Sequence, residues 1–332
     1  MTVNLRTYKL MKMVNGVNSK GISYPGQFGL FLGLTLGGVV FGVLISFLIW
    51  VGMTGVSMPS TPELVMQAKY YSVNMVIQGA SSFLIFFLPI YLFAVICYYR
   101  PMKYLGFSNG FTWKQLIVVI LILLVTFPLS GGLAAFNKWL PIPISWTNYF
   151  TAMEAKRASQ EAVLIQINSV SKYIISIISI ALLPAVFEET FFRAGLQKLL
   201  TNWTRRKWFA IILTSIIFSL IHVSYYGFLV RFALGMILGL VYYYSGSLWL
   251  NCIMHFLFNG LQVTALYLFQ NKPSVSKPDI ETGFPSWLAI VSLGLIIYLF
   301  MRFIKLSSNN EDLVAESLPV QNSFENWTNN SI

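Results

Sequence analysis

The sequence predicts an all-α protein of the membrane, a polytopic bundle of about eight transmembrane helices. Hydrophobic residues make up 56% of the 332 positions, charged residues only 10%, and the mean hydropathy is +0.69. A soluble domain has a charged share nearer roughly 25%. The apolar residues are also grouped in long runs, and a run of about 20 residues is what an α-helix needs to cross a bilayer. The composition therefore excludes an ordinary soluble fold.

Eight runs are long and apolar enough to be transmembrane candidates. They lie at residues 28–53, 76–98, 115–133, 172–200, 208–226, 228–244, 247–269 and 286–304. The fourth run is the weakest by hydropathy because Arg193 and Lys198 fall in its second half, although its helical pattern continues. We find no internal repeat.

These runs divide the chain into five regions. A cytoplasmic N-terminal segment at 1–27 precedes N-terminal helices and a long connection at 28–170. A core that carries the candidate chemistry follows at 171–270, then a last helix within 271–305 and a polar, acidic tail at 306–332 that we expect to be disordered. The first 27 residues lack a cleavable signal pattern, so the first helix is expected to be an uncleaved anchor.

Charge placement predicts the orientation and the partners. Lysine and arginine are most frequent in the segments that share a side with the N-terminus, which predicts a cell-membrane protein with both termini in the cytoplasm. The net charge of +11 is spread over short loops and forms no dense basic run, so no nucleic-acid partner is expected. Cys97 and Cys252 lie in apolar runs and are expected to be small core residues without a disulfide.

Two further patterns concern packing and access. Gly29, Gly33 and Gly37, with Gly38 and Gly42 beside them, form a small-residue stripe that would let another helix approach the first one closely. Residues 147–168 of the long connection mix apolar and charged residues at helical spacing. They predict a short amphipathic helix at the outer interface, which could gate access or be a lid with no role.

The candidate chemistry begins with two adjacent acids, Glu188 and Glu189, at the end of the apolar stretch ALLPAVF. A carboxylate at bilayer depth costs on the order of 2.5–3.5 kcal/mol, so acids in this position are usually paired and functional. Arg193 lies four residues after Glu189, and residues four apart share a helix face. We therefore assign Arg193 to hold Glu189 ionised, a supporting role, and Glu188 to chemistry.

The chain has only two histidines, and each lies in its own apolar run. His222 follows Phe218 by four residues, and His255 precedes Asn259 by four. Counted along the helices from their cytoplasmic ends, Glu188, His222, His255 and Asn259 fall about 12–21 Å deep. We therefore expect these four side chains to share one layer of the membrane.

A carboxylate and two imidazoles in one layer can activate water in two ways. In the first, Glu188, His222 and His255 bind a divalent metal, zinc most plausibly, which keeps a position open for water. In the second, no metal is present and Glu188 deprotonates water with the help of His222. In both schemes Asn259 can donate to a developing oxyanion.

The three motifs EExxxR, FxxxH and HxxxN, in this order on successive apolar helices, carry a family resemblance. The chain resembles the CAAX-protease and bacteriocin-processing family of intramembrane proteases, also called the type II CAAX prenyl endopeptidase or Abi family. The resemblance covers about residues 170–270. It implies an eight-helix bundle around a water-filled cavity open to the cytoplasm and the hydrolysis of a peptide bond. The implied substrate is a prenylated C-terminus, a leader peptide or a membrane protein.

The resemblance also implies roles for individual residues. Glu188 would be the general base, His222 its partner or a metal ligand, and His255 with Asn259 the metal-binding or oxyanion elements. Two other classes of function remain open on the residues alone. One is a proton-coupled transporter that uses Glu188 and His222 as a relay. The other is a non-catalytic immunity or scaffold protein of the membrane, in which Glu188 would be dispensable.

Overall fold

The computed structural model describes residues 19–57, 67–107, 110–164, 167–269 and 284–316. Most of the predicted N-terminal segment 1–27, the start of the region 271–305 and the end of the predicted tail 306–332 lie outside these residues. The described chain is helical, and its β-contact is an isolated antiparallel bridge between Ser19 and Tyr98.

The helices are numbered in chain order. They are α1 (Tyr24–Thr54), α2 (Tyr71–Cys97), α3 (Pro101–Leu105), α4 (Trp113–Trp139), α5 (Ile144–Leu164), α6 (Val170–Thr204), α7 (Lys207–Leu220), α8 (Phe228–Ser245), α9 (Leu248–Phe269) and α10 (Leu288–Glu316). By length and composition, seven of these described helices can cross a membrane: α1, α2, α4, α6, α8, α9 and α10. The predicted all-α polytopic bundle is confirmed, and the chain is a multi-pass membrane protein.

Local sequence sets several helix ends. α4 begins at a capping box, in which the Thr112 side chain accepts from the backbone of Gln115 and the Gln115 side chain accepts from the backbone of Thr112. α8 ends at Gly246, whose φ of +66° is in the left-handed region where glycine avoids the steric cost of a side chain. A short turn there joins α8 to α9, and the two helices are neighbours in the bundle.

The fifth predicted span differs from the structure. α7 has 14 residues and ends at Leu220, so it is about 21 Å long, whereas a bilayer core is about 30 Å thick. The predicted run continues past the helix end to residue 226 because Ile221 and Val223 are strongly apolar and two aromatic residues follow them. His222 therefore lies in a turn just beyond the helix end.

α6 is the longest membrane helix, with 35 residues, and it is not a uniform α-helix. It widens into π-helix at Ile177–Leu182 and again at Thr190–Gln197. Pro184, which lacks an N–H, follows the first of these segments, where the wider turn removes the need for its hydrogen bond. Because π-bulges change which residues share a face and are frequent at functional sites, they decide where the acids of α6 point.

Two buried apolar clusters hold the bundle together, and α6 belongs to the first. That cluster joins α1, α2 and α6 through residues such as Phe31, Phe93 and Phe192. The second joins α4, α8, α9 and α10 through residues such as Phe127, Leu238 and Phe300. α10 continues to Glu316, so the first part of the predicted tail is helical.

Two of the five glycines in the predicted stripe of α1 make the close helix contact. A Cβ added to Gly38 would lie 2.4 Å from the carbonyl oxygen of Leu84 in α2, and one added to Gly42 would lie 3.1 Å from Ile85. A Cβ on Gly29, Gly33 or Gly37 would meet nothing within 4 Å. The pair Gly38 and Gly42 therefore permits the close approach of α1 and α2.

We expect Gly38→Ala to destabilise the protein by about 1–3 kcal/mol, because its methyl group would have to displace backbone of α2. Gly37→Ala is the matched control: it changes the adjacent residue and faces open space, so it should be neutral or slightly stabilising. Unfolding of the purified variants in one detergent measures both. Equal stability of the two variants would contradict the assigned contact face.

Candidate active site

The centre of the candidate site is Glu189, which lies on α6 immediately before the second π segment. Its side chain is fully buried. Arg193, also fully buried, donates from Nε to Glu189 Oε2 over 2.9 Å. This intrahelical pair is the one that the spacing of EETFFR predicts. A buried carboxylate is costly unless it is paired and hydrogen-bonded, so the pair explains how Glu189 is tolerated inside the bundle.

Glu189 also receives two bonds from α9 that the sequence analysis missed. His255 Nδ1 lies 3.0 Å from Glu189 Oε1, and Asn251 Nδ2 donates to Glu189 Oε2 over 3.2 Å. Asn251 also donates to the carbonyl of Leu238 in α8. The position of Asn251, four residues before His255 on the same helix face, is a signal that could have been used. Glu189 therefore orients His255 as well as pairing with Arg193.

Arg193 connects Glu189 to the surroundings of the other histidine, His222. Its guanidinium carbon lies 5.4 Å from the centre of the Phe218 ring, a cation–π contact. Its Nη1 and Nη2 are buried and have no hydrogen-bond partner within the described chain. The Phe218 ring in turn lies 5.0 Å from the His222 ring and 6.0 Å from the His255 ring. The Phe218 ring thus packs against both imidazoles.

The tautomers of both histidines follow from their partners. His222 Nδ1 lies 2.7 Å from the backbone carbonyl of Phe218, which can only accept a hydrogen bond. His255 Nδ1 faces the ionised Glu189, which likewise only accepts. We therefore assign the proton to Nδ1 in both rings, so that Nε2 is the nitrogen of each ring that can accept a proton or bind a ligand.

Glu188 differs from its neighbour in burial and in contacts. It is half-buried, and no hydrogen bond joins it to the described residues. It lies within electrostatic range of His255, Glu189 and Arg193. Glu189 is thus fixed by hydrogen bonds, whereas Glu188 is not, and the predicted division of roles between the two acids stays a prediction.

Asn259 lies one turn beyond His255 on α9, and its contact leads away from Glu189. Its Nδ2 donates to the carbonyl of Ile180, in the first π segment of α6, over 3.5 Å. A bond of this length is weak. The described contacts thus join Glu189, Arg193, His255 and, through Phe218, His222; they connect Asn259 to α6 but not to the other candidate residues.

The residues can be tested for their fit to a metal ion. The use of Nδ1 in both imidazoles favours it, because a ligating histidine usually donates its second nitrogen to a carboxylate or a carbonyl. However, among the described residues no three His, Cys, Asp or Glu side chains are grouped so that they could hold an ion together. The geometry therefore supplies two suitable nitrogen donors without a closed ligand set.

Comparison with known proteins gives a match over the part of the chain that carries the candidate site. Residues 170–261 match the family model of the type II CAAX prenyl endopeptidase Rce1-like proteins. The predicted resemblance is confirmed over these residues. The matched part runs from the start of α6 into α9 and contains every candidate site residue. The curated proteins and the solved structures compared with the chain give no match.

The match supports a CAAX-type intramembrane protease in general terms. The match covers only part of the chain. This Rce1-like part contains Glu188, Glu189, Arg193 and both histidines, whereas α1 to α5, the end of α9 and α10 lie outside it. The N-terminal helices nevertheless pack directly on the matched part, as the contacts of Phe31 with Phe191 and of Phe150 with Tyr225 illustrate.

Proposed function

We propose that the chain is an intramembrane endopeptidase of the CAAX type in which Glu188 activates a water molecule. The proposal rests on one observation, the difference in hydrogen bonding between the two adjacent acids. Glu189 is saturated by Arg193, Asn251 and His255, whereas Glu188 beside it has no hydrogen bond within the described chain. A general base needs a carboxylate that is available to a water molecule, and Glu188 fits that requirement.

In the proposed mechanism, Glu188 removes a proton from water as the water oxygen attacks the scissile carbonyl. The tetrahedral intermediate carries a negative oxygen, and donors placed around it lower its energy. The Asn259 amide can turn from its weak bond to Ile180 and donate to that oxygen. Protonated Glu188 then delivers its proton to the leaving amine, which breaks the carbon–nitrogen bond and restores the carboxylate.

The two histidines have different positions in this scheme. His255 is held by Glu189 through Nδ1, so its Nε2 has a fixed direction. His222 is held through Nδ1 by a carbonyl of its own helix end, and its Nε2 assists Glu188 with the water proton. Glu189 and Arg193 act through His255 and do not touch the substrate. Each role is a proposal that rests on these hydrogen bonds and on the match of the family model.

The substrate class is part of the proposal. A membrane-associated peptide suits a site formed within a helix bundle, either a prenylated C-terminus or a leader-type peptide, and both termini of the protease are proposed to be cytoplasmic. Purified protein in lipid nanodiscs, supplied with a prenylated peptide or with an apolar leader peptide, tests this directly by mass spectrometry of the products. Cleavage of one peptide by wild type and of neither by Glu188→Gln supports the proposal. Cleavage of neither by wild type counts against both substrate classes.

A divalent metal, with zinc as the first choice, is a separate proposal. His222 and His255 through Nε2 and a carboxylate oxygen of Glu188 would hold it only if these three side chains came together from their described positions, where they are not grouped around one ion. The metal would then supply polarisation of a bound water. We expect purified protein to contain about one zinc ion per chain and His222→Ala to contain far less. Elemental analysis measures the content, and His222→Ala must first be shown to fold. Metal-free protein with full activity would rule out the metal and leave the activation of water to Glu188 with the help of His222.

A further inference from the structure

The turn that carries His222, residues 221–227, has an unusual backbone. α7 ends at Leu220, and the chain reaches α8 at Phe228. Val223, directly after His222, has a φ of +47°. The residue is 63% exposed, so packing of its side chain does not impose this conformation. A β-branched residue in the left-handed region is strained, and such a conformation persists only where the surrounding structure holds it. The contacts that hold this turn can be identified.

The first contact comes from α4. Asn137, which is 2% exposed, donates from Nδ2 to the carbonyl of Tyr225 over 3.0 Å. Its Oδ1 accepts from the backbone N–H of Leu229 over 3.4 Å. One buried amide thus ties the end of the turn to the first residues of α8. Asn137 lies outside the part of the chain that matches the Rce1-like family.

The second contact comes from α5, the helix of the long connection. The Ser224 hydroxyl donates to Glu154 Oε1. The rings of Phe150 and Tyr225 are stacked at 4.6 Å with 9° between their planes. The hydroxyl groups of Thr151 and Tyr226 lie 3.3 Å apart. Three successive residues of the turn are therefore held by one face of α5.

The position of the imidazole depends on this turn. His222 Nδ1 donates to the carbonyl of Phe218, and the backbone N–H of His222 donates to the carbonyl of Ser219 over 3.3 Å. The N–H of Val223 donates to the carbonyl of Leu220 over 3.0 Å. These bonds fix His222 at the C-terminal end of α7, and the turn that α4 and α5 hold follows directly after it. We therefore expect a change in the turn to shift His222.

We infer that Glu154 and Asn137 are positioning residues for His222, and that α5 acts on the candidate site by holding the 221–227 turn. This gives the N-terminal part of the chain a role in the chemistry of the Rce1-like part. As far as it concerns catalysis, the inference rests on the proposed function. The restraint on the turn itself does not.

The test compares three single variants. Glu154→Leu removes the acceptor for Ser224, whereas Glu154→Gln keeps an oxygen that can accept the same bond. Asn148→Ala changes an exposed residue of α5 for which no contact with the turn is found in the described residues, and it is the matched control. Hydrogen–deuterium exchange of peptides covering residues 222–229 reports on the turn without any need for activity.

We expect about tenfold faster exchange at residues 222–229 in Glu154→Leu than in wild type, with Glu154→Gln and Asn148→Ala unchanged. With a cleavable peptide, Glu154→Leu should lose about tenfold in kcat at nearly constant KM, since it misplaces a catalytic group without altering the rest of the peptide site. Exchange that is unchanged in Glu154→Leu, or equally fast in Glu154→Gln or Asn148→Ala, overturns the restraint. Faster exchange with full activity overturns the positioning role.

The two failures can be told apart. If wild type shows no cleavage that depends on Glu188, the proposed function fails, and the exchange data alone decide whether α5 restrains the turn. If cleavage depends on Glu188 but Glu154→Leu behaves as wild type in both measurements, the proposed function stands and the present inference is wrong.

Discussion

Replacement of Glu188 by glutamine should reduce peptide cleavage by about 10²–10⁴-fold, the contribution typical of a general base. Glutamine has nearly the same shape, so the substrate should still bind and KM should change little. Glu188 is half-buried and has no hydrogen bond within the described chain, so stability should stay within about 0.5 kcal/mol of wild type. Initial rates with a fluorogenic peptide and unfolding curves in the same detergent measure both quantities.

A double variant tests whether Glu188 and His222 act together. If Glu188 and His222 act on the same water, the double variant Glu188→Gln with His222→Gln should be scarcely slower than the slower single variant, because groups that act as a unit are strongly non-additive. If the rate loss of the double variant equals the product of the rate losses of the two single variants, the two side chains act in separate steps. Retention of most activity by Glu188→Gln would remove Glu188 from the mechanism.

Loss of Arg193 should have the largest effect on stability. Arg193→Met leaves Glu189 fully buried without its cation, and breaking a buried ion pair in this way typically costs about 3–5 kcal/mol. Methionine fills much of the same volume, so little of the loss comes from a cavity. The unfolding free energy of the purified variant in detergent, compared with that of Glu188→Gln, measures the effect.

The double variant Glu189→Leu with Arg193→Met is the control for this interpretation. It removes both charges, so it should be more stable than Arg193→Met alone. It should nevertheless remain inactive, because His255 then has no carboxylate to orient it. Recovery of activity together with stability would show that Glu189 serves only the fold. A double variant no more stable than the single one would show that the buried charge is not the cause.

How much of this site could be predicted from the sequence depends on how far apart along the chain the two residues of each contact lie. The pair of Glu189 with Arg193 is local, and four-residue spacing on a helix is enough to predict it. The bond from His255 to Glu189 joins residues 66 positions apart. Its formation depends on how α6 is rotated, and two π segments on either side of the acids shift that rotation. Spacing rules that assume a regular α-helix cannot follow such shifts.

The fold can likewise be divided into features that local sequence predicts and features that depend on contacts between distant segments. Hydropathy predicts seven membrane helices close to their observed positions, because length and composition decide whether a helix can cross a bilayer. It extends α7 through His222, since a turn made of apolar residues looks like helix to a hydropathy window. The strained φ of Val223 and the contacts of Asn137 and Glu154 depend on packing between distant segments.

The glycines of α1 illustrate the limit of periodic patterns. Gly29, Gly33 and Gly37 have the regular spacing, yet they face open space. The approach to α2 occurs one residue further round the helix, at Gly38 and Gly42, because α2 widens at Phe83–Phe87 and brings the carbonyl of Leu84 toward α1. The pattern correctly predicts a close helix contact along this stripe, but it does not tell which of the glycines make the contact.

The most direct test of the central claim is a comparison of new peptide termini in membranes that contain wild-type protein or Glu188→Ala at equal abundance. We expect a set of termini, in membrane-associated or prenylated proteins, that appears with wild type and is absent with Glu188→Ala. An identical set of termini in both membranes would contradict the assignment of the chain as a protease that depends on Glu188.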